Sequence, residues 1–229
     1  RLPIFQQKRE KIMRRKVIAG ALILVGIILF SVPFLFSQTT QQDHNTTIEH
    51  YGNVISDLSD TEKADDIAAA ENYNQIISTG TETVSNENYY NLLSYGDGGE
   101  IGYISIPKVG IDLPIYHGTT EEILAKGAGH MENTSLPIGG ENTHSVIVGH
   151  TGLTYRMFDG LHDLVEGDIF YITVQDQTLE YRISGIYTVL SNATDYTAIV
   201  PGKDLVTLVT CFPFGINSHR LLVQGERVN

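Results

Sequence analysis

The stretch Leu205-Val206-Thr207-Leu208-Val209-Thr210-Cys211-Phe212-Pro213-Phe214-Gly215-Ile216-Asn217-Ser218-His219-Arg220-Leu221-Leu222-Val223 decides the fold and places its chemistry. Leu205 to Thr210 is an apolar, β-rich run that reads as a buried strand. It ends at Cys211, and Pro213, Gly215 and Asn217 mark a turn. A second strand begins near His219 and runs through Val223. If the two strands pair antiparallel, Cys211 and the start of the second strand lie at one end of the sheet, with Arg220 close by. Successive side chains face opposite sides, so His219 and Arg220 cannot both point at the thiol. The sequence leaves open which face meets Cys211.

Similar short runs precede it. Ile101 to Val109, Leu113 to Tyr116, Ser145 to Val148, Ile169 to Val174 and Leu179 to Val189 read as strands, with Gln175-Asp176-Gln177 as a hairpin turn between two of them. Thr120 to Lys126 and Thr154 to Leu164 read as helical pieces, the first capped at Thr119-Thr120 with Glu121 and Glu122 at the positive end of its dipole. Many short strands with scattered turns predict a mainly β fold, a closed barrel or a sandwich decorated by short helices. Asp97-Gly98-Gly99 marks where this texture begins, giving a domain over 98–229.

The cysteine is the chain's only one. It cannot form an internal disulfide or a Cys-rich metal site, so its reactivity is the question. A thiolate is favoured by a neighbouring cation, since free Cys has a pKa of about 8.5. Attack on an amide creates an oxyanion that needs donors already in place, and a guanidinium supplies them while staying charged. The departing amine needs a proton, which a His can give. Of the eight histidines, His150 stands out. It ends the apolar run Ser145-Val146-Ile147-Val148-Gly149 and opens the loop Thr151-Gly152, a strand-tip position like that of Cys211. His117, His130, His144 and His162 have no distinguishing context, and His44 and His50 are expected to be solvated.

The N-terminal part differs. Residues 1–36 carry seven Lys/Arg and one acid, whereas 37–229 carry eight Lys/Arg and 26 acids. The acidic portion argues against nucleic acid as a partner. Val17 to Phe36 is an uncharged run of 20 residues, at 1.5 Å per residue about 30 Å, enough to span a bilayer. A cleaved signal peptide would have a shorter apolar region and small residues before the cut, whereas this run ends in Phe34-Leu35-Phe36. The basic tail 1–16 is expected in the cytoplasm, 17–36 as a single transmembrane helix, and the rest outside the cell membrane. No second apolar span follows. Residues 37–97 are expected to be a polar stalk without its own core over 37–58, then a helix over Ser59–Ser78, a break at Thr79–Ser85 and a short helical piece over Asn88–Leu93.

Taken together, Thr207-Leu208-Val209-Thr210-Cys211, Pro213, Gly215, Asn217 and His219-Arg220-Leu221-Leu222-Val223 resemble the active-site signature of sortases, most of all class C, the pilin-polymerising group. Gly102-Tyr103-Ile104-Ser105-Ile106-Pro107-Lys108, Leu113-Pro114-Ile115-Tyr116-His117-Gly118, Gly129-His130 and Gly140-Glu141-Asn142-Thr143-His144 match in order, so the resemblance covers about 98–229. It implies an eight-stranded β-barrel with His150, Cys211 and Arg220 as catalytic residues. It also implies a thioacyl intermediate with a Leu-Pro-X-Thr-Gly-like sorting signal cut between Thr and Gly, and transfer to a pilin lysine on the surface of a Gram-positive cell. Class C members usually carry a lid with an Asp-Pro-aromatic anchor. Ser78 to Tyr90 contains no Pro, so a lid here is absent or docks differently. Thr151-Gly152-Leu153 follows the histidine where many members have Arg before the Gly.

A housekeeping sortase that uses peptidoglycan as acceptor is the nearest alternative. A papain-like hydrolase would place a His downstream of its Cys, where only His219 lies, and a non-enzymatic anchored module would not need Cys211. No cofactor is expected. Glu121, Glu122 and Glu166 read as surface acids rather than metal ligands.

Overall fold

The computed structural model describes residues 4–80, 86–96, 98–152 and 157–228; the side chains of 1–8, 10–11, 29–30, 32–40 and 86–87 also lie outside the description. The chain forms two compact units, Arg1–Thr40 and Gln41–Asn229.

The first unit belongs to helix α1 (Ile4–Asp57). Val17, Ile18, Leu22, Ile23, Leu24, Val25, Ile27 and Ile28 are all exposed on it. Among the described residues no helix is long and apolar enough to cross a membrane. The expected span Val17–Phe36 is helical along its backbone, but its last residues include side chains outside the description.

The second unit is a closed barrel in the order β1-β2-β3-β4-β7-β8-β6-β5. Its strands are β1 (Glu100–Ile106), β2 (Ile111–His117), β3 (Ala128–His130), β4 (Thr143–Val148), β5 (Ile169–Val174), β6 (Gln177–Leu190), β7 (Asp204–Phe212) and β8 (His219–Arg227). β1 pairs with both β2 and β5, which closes the ring and removes open edges. The period-2 alternation sorts the side chains: Ile104, Ile106, Ile147, Val206, Leu208, Leu221 and Val223 fill the interior. Pro107 ends β1 and starts a 3-10 turn, so the strand stops short of Val109. Val174 pairs with Gln177 across the expected tight turn, where Gln175 has a positive φ. The three-residue β3 was not foreseen. Ala128-Gly129-His130 carries no β-branched run and forms a strand because its neighbours β2 and β4 offer free backbone groups. The second expected helical piece is a 3-10 turn over Asp159–Asp163, and residues 154–156 of that expectation lie outside the described ones.

The stalk expected over 37–58 is corrected. That segment is the second half of α1, and Tyr51 and Ile55, one turn apart, are buried in the main core. Helix α2 (Asp60–Thr79) begins with the capping box Ser59/Glu62 and buries Ala70 and Tyr73, close to expectation. The short helix α3 (Asn86–Asn91) adds Tyr89; residues 81–85 of the expected break lie outside the description. The overall polarity of 37–58 concealed a narrow apolar stripe that contributes to the barrel's core. His44, expected to be solvated, is 5% exposed.

One side chain ties this helix to two parts of the sheet. The Tyr51 hydroxyl accepts from the Gln175 backbone N–H (2.7 Å) and donates to the Ile101 carbonyl (3.1 Å). Tyr51→Phe strands both backbone groups in a buried site. It is expected to lower stability by roughly 1–3 kcal/mol, read as a lower urea midpoint with unchanged slope; a change within about 0.5 kcal/mol would show these bonds to be dispensable.

Burial of histidines gives the fold a defined pH response. His130 is fully buried, and desolvation pushes its pKa down from 6.5 to about 3. Its Nε2–H donates to the Ser135 carbonyl (2.8 Å), leaving Nδ1 beside the Tyr89 hydroxyl (2.8 Å). Burial lowers His44, His117 and His144 in the same direction. The unfolded chain therefore takes up protons that the folded one refuses. This stability is complete above pH 6.5 and is lost as pH falls towards the folded pKa values. For His130 alone the loss is about 2 kcal/mol by pH 5. Calorimetry between pH 7.5 and 5 is expected to show Tm falling steadily; a flat Tm would contradict the burial of these rings.

Candidate active site

β7 and β8 pair antiparallel, with Cys211 opposite Arg220 and Phe212 opposite His219. This resolves the choice the sequence left open. Cross-strand partners project to the same face, so Arg220, not His219, stands beside the sulfur. The parity of the interior residues puts that face on the outside of the barrel: Val206 and Leu208 point in, while Thr207, Val209 and Cys211 point out. Cys211 is a free, partly exposed thiol. The Arg220 guanidinium is held from below, its Nη1 donating to the carbonyls of Asn217 (3.2 Å) and His219 (3.0 Å).

β4 runs parallel to β7 on the other side, with Val148 beside Val209. His150 lies two residues beyond Val148, and Cys211 two beyond Val209. Both therefore emerge at the same end of adjacent strands. Two bonds fasten that end: the Gly149 N–H donates to the Val209 carbonyl (3.0 Å), and the buried Thr210 hydroxyl donates to the Gly149 carbonyl (2.7 Å). Gly149 has to be Gly, because a Cβ there would meet the Phe158 ring at 2.6 Å. The Phe158 N–H in turn donates to the His150 carbonyl (2.9 Å), and Asp159 accepts from the Thr151 hydroxyl and the Gly152 N–H. These bonds fix the turn that carries the imidazole. Its Nε2 lies 3.4 Å from a carboxylate oxygen of Glu121, at the start of the short helix α4 (Glu121–Leu124). Glu121 is largely exposed, so water weakens this pairing. The structure thus brings the three residues expected from sequence to one rim.

Residues 104–228 match the family model for the sortase domain. The chain belongs to the sortase family. It is similar to a sortase C of Clostridium perfringens, in a structure with the C-terminal cell wall sorting motif, at 42% identity and TM-score 0.74, over 80% of this chain and 98% of the other. It is similar to sortase C1 of Streptococcus agalactiae at 39% identity and TM-score 0.76, over 80% and 98%. A curated sortase A of Streptococcus agalactiae serotype III is 34% identical over 115 residues, covering 48% of this chain and 46% of that relative's length.

Below the rim of this sortase, Val146, Val209 and Leu222 form a small apolar cluster on the outer face, covered in part by Met131, Val148, Val189 and Tyr196. Tyr196 lies on a 3-10 turn, Asp195–Thr197, in the loop between β6 and β7. Next to the cluster is a cleft of about 260 Å³, lined by residues including Tyr187, Asp195, Tyr196, Thr207 and Gln224. Sequence reasoning missed Glu121, Thr210, His144 and Tyr196. Only Thr210 carried a usable signal, as the polar residue adjoining the cysteine on the inward face of β7, where it is buried; the others reach the site through tertiary contacts. Among the described residues no group of three or more His, Cys, Asp or Glu is placed to hold a metal ion.

Proposed function

We propose that this sortase is a membrane-anchored cysteine transpeptidase that joins a sorting signal to an amine. The observation that carries the reading is the cross-strand pairing of Cys211 with Arg220 on the open face, at the end of the sheet where β4 delivers His150. The Cys211 thiolate attacks the Thr carbonyl carbon of a Leu-Pro-X-Thr-Gly-like signal. Arg220 stabilises the oxyanion, the Thr–Gly C–N bond breaks, and protonated His150 gives its proton to the departing amine. An acceptor amine then attacks the thioester, His150 takes its proton back, and the C–S bond breaks. An extended Leu-Pro-X-Thr segment reaches roughly 10–13 Å. With its Thr at Cys211, it can lie along β7 with its Leu near the cleft at Thr207.

The acceptor is a pilin lysine, giving an isopeptide bond. Similarity to the sortase C proteins supports this class over a housekeeping enzyme acting on peptidoglycan. The exposed apolar residues from Val17 to Ile28 support the anchor, because a helix apolar on all sides needs a non-aqueous surrounding. The basic residues before them support a cytoplasmic N-terminus.

The test incubates the full chain in detergent with a signal peptide and competing amines, followed by intact-mass spectrometry. A Cys211 thioacyl adduct and a lysine-linked product are expected. Transfer only to a peptidoglycan stem amine would favour the housekeeping reading, and hydrolysis alone would sink transpeptidation.

A further inference from the structure

We infer that His144, which the reaction does not use, is a positioning residue that clamps the loop between β6 and β7 onto the barrel and so shapes the cleft for the sorting signal. The inference rests on the proposed function for its substrate, but the clamp itself is visible in the fold. His144 lies on the outer face of β4 and is only 2% exposed. Its Nδ1 is 2.7 Å from the carbonyl of Ala198, and its Nε2 is 2.8 Å from the Thr207 hydroxyl. A carbonyl can only accept, so Nδ1 carries the proton and Nε2 accepts from Thr207. The Thr207 oxygen is approached in turn by the Gln224 amide at 3.4 Å.

These partners place His144 between floor and wall. Thr207 and Gln224 are in the cleft floor, on β7 and β8. Ala198 directly follows the 3-10 turn that holds Asp195 and Tyr196, which line the opposite side. That turn has no side-chain cap; Asp195 is exposed, and Tyr196 and Thr197 are only partly buried. A segment with so little burial of its own is held by the few bonds that reach it. The His144–Ala198 bond comes from a side chain inside the barrel wall, so it sets where Tyr196 sits over Val209 and Leu222.

Two isosteric variants separate the two bonds. His144→Asn puts an amide N–H where Nδ1–H was, keeping the Ala198 bond and losing Thr207. His144→Gln reaches the Nε2 position, keeping Thr207 and losing Ala198. On the full chain, H144Q is expected to raise KM for the signal peptide by about tenfold, the loss of one buried hydrogen bond. Its kcat and the rate of Cys211 alkylation by iodoacetamide are expected to stay near those of the unsubstituted chain. H144N is expected to retain most of the original KM. Amide hydrogen exchange across residues 191–203 needs no substrate, and it is expected to speed up in H144Q but not in H144N. Equal exchange in both variants and the unsubstituted chain would overturn the clamp, as would equal damage to KM, kcat and alkylation in both. Should H144Q fail to fold, Tyr196→Ala is expected to reproduce the KM rise, and an unchanged KM there would overturn the role of the loop. If the unsubstituted chain forms no thioacyl adduct, the functional reading fails, while the exchange comparison still decides the clamp.

Discussion

Cys211→Ala is expected to abolish thioacyl formation and amine transfer, lowering the rate on the order of 10⁴-fold or more, while leaving the fold intact. In the proposed reaction the Cys211 sulfur holds the acyl group between the two half-reactions. No other cysteine exists in the chain to substitute for it. The residue is partly exposed rather than part of the packed interior. Losing one sulfur there removes little buried surface, so Tm is expected to move by no more than a few degrees. Mass spectrometry of the variant after incubation with signal peptide is the direct check, with calorimetry alongside. Residual transfer above about 1% of the original rate would mean that a nucleophile other than Cys211 carries the acyl group.

Arg220→Ala is expected to lower kcat/KM for acylation by roughly 10²–10³, the usual cost of removing a donor aimed at an oxyanion. The guanidinium has geometry on its side. It sits opposite the sulfur in the ladder, and two backbone carbonyls take Nη1. The proposed mechanism has its other N–H groups face the reacting carbonyl. Its charge is also felt at Tyr196, where it opposes the upward push of burial on the phenol. Arg220→Lys keeps the charge but not the planar fork, and is expected to recover only part of the loss. The effect should fall mainly on kcat in single-turnover acylation, because the oxyanion exists only near the transition state. An Arg220→Ala chain within threefold of the original rate would remove Arg220 from the mechanism.

Much of this was legible in one sequence because it is local. The run Leu205–Thr210 alternates faces and stops at a turn, so a strand ending at Cys211 follows from sterics and solvation alone. The same logic marked His150 as a strand-tip residue, and Ser59 as the start of a helix. Composition likewise separated a basic, apolar N-terminus from an acidic globular remainder. Other features depend on which residues meet across long stretches of chain. Strand parity can be read from sequence, but the register between β7 and β8 cannot, and that register set Arg220 rather than His219 beside the thiol. The parallel pairing of β4 with β7, which brings His150 to the same rim, joins segments some sixty residues apart. The burial of Tyr51 and Ile55 in a segment of polar composition, and the hold of His144 on a loop 54 residues away, arise only when the barrel closes. Each is decided by tertiary contacts, whose energy depends on distances that no local window of residues contains.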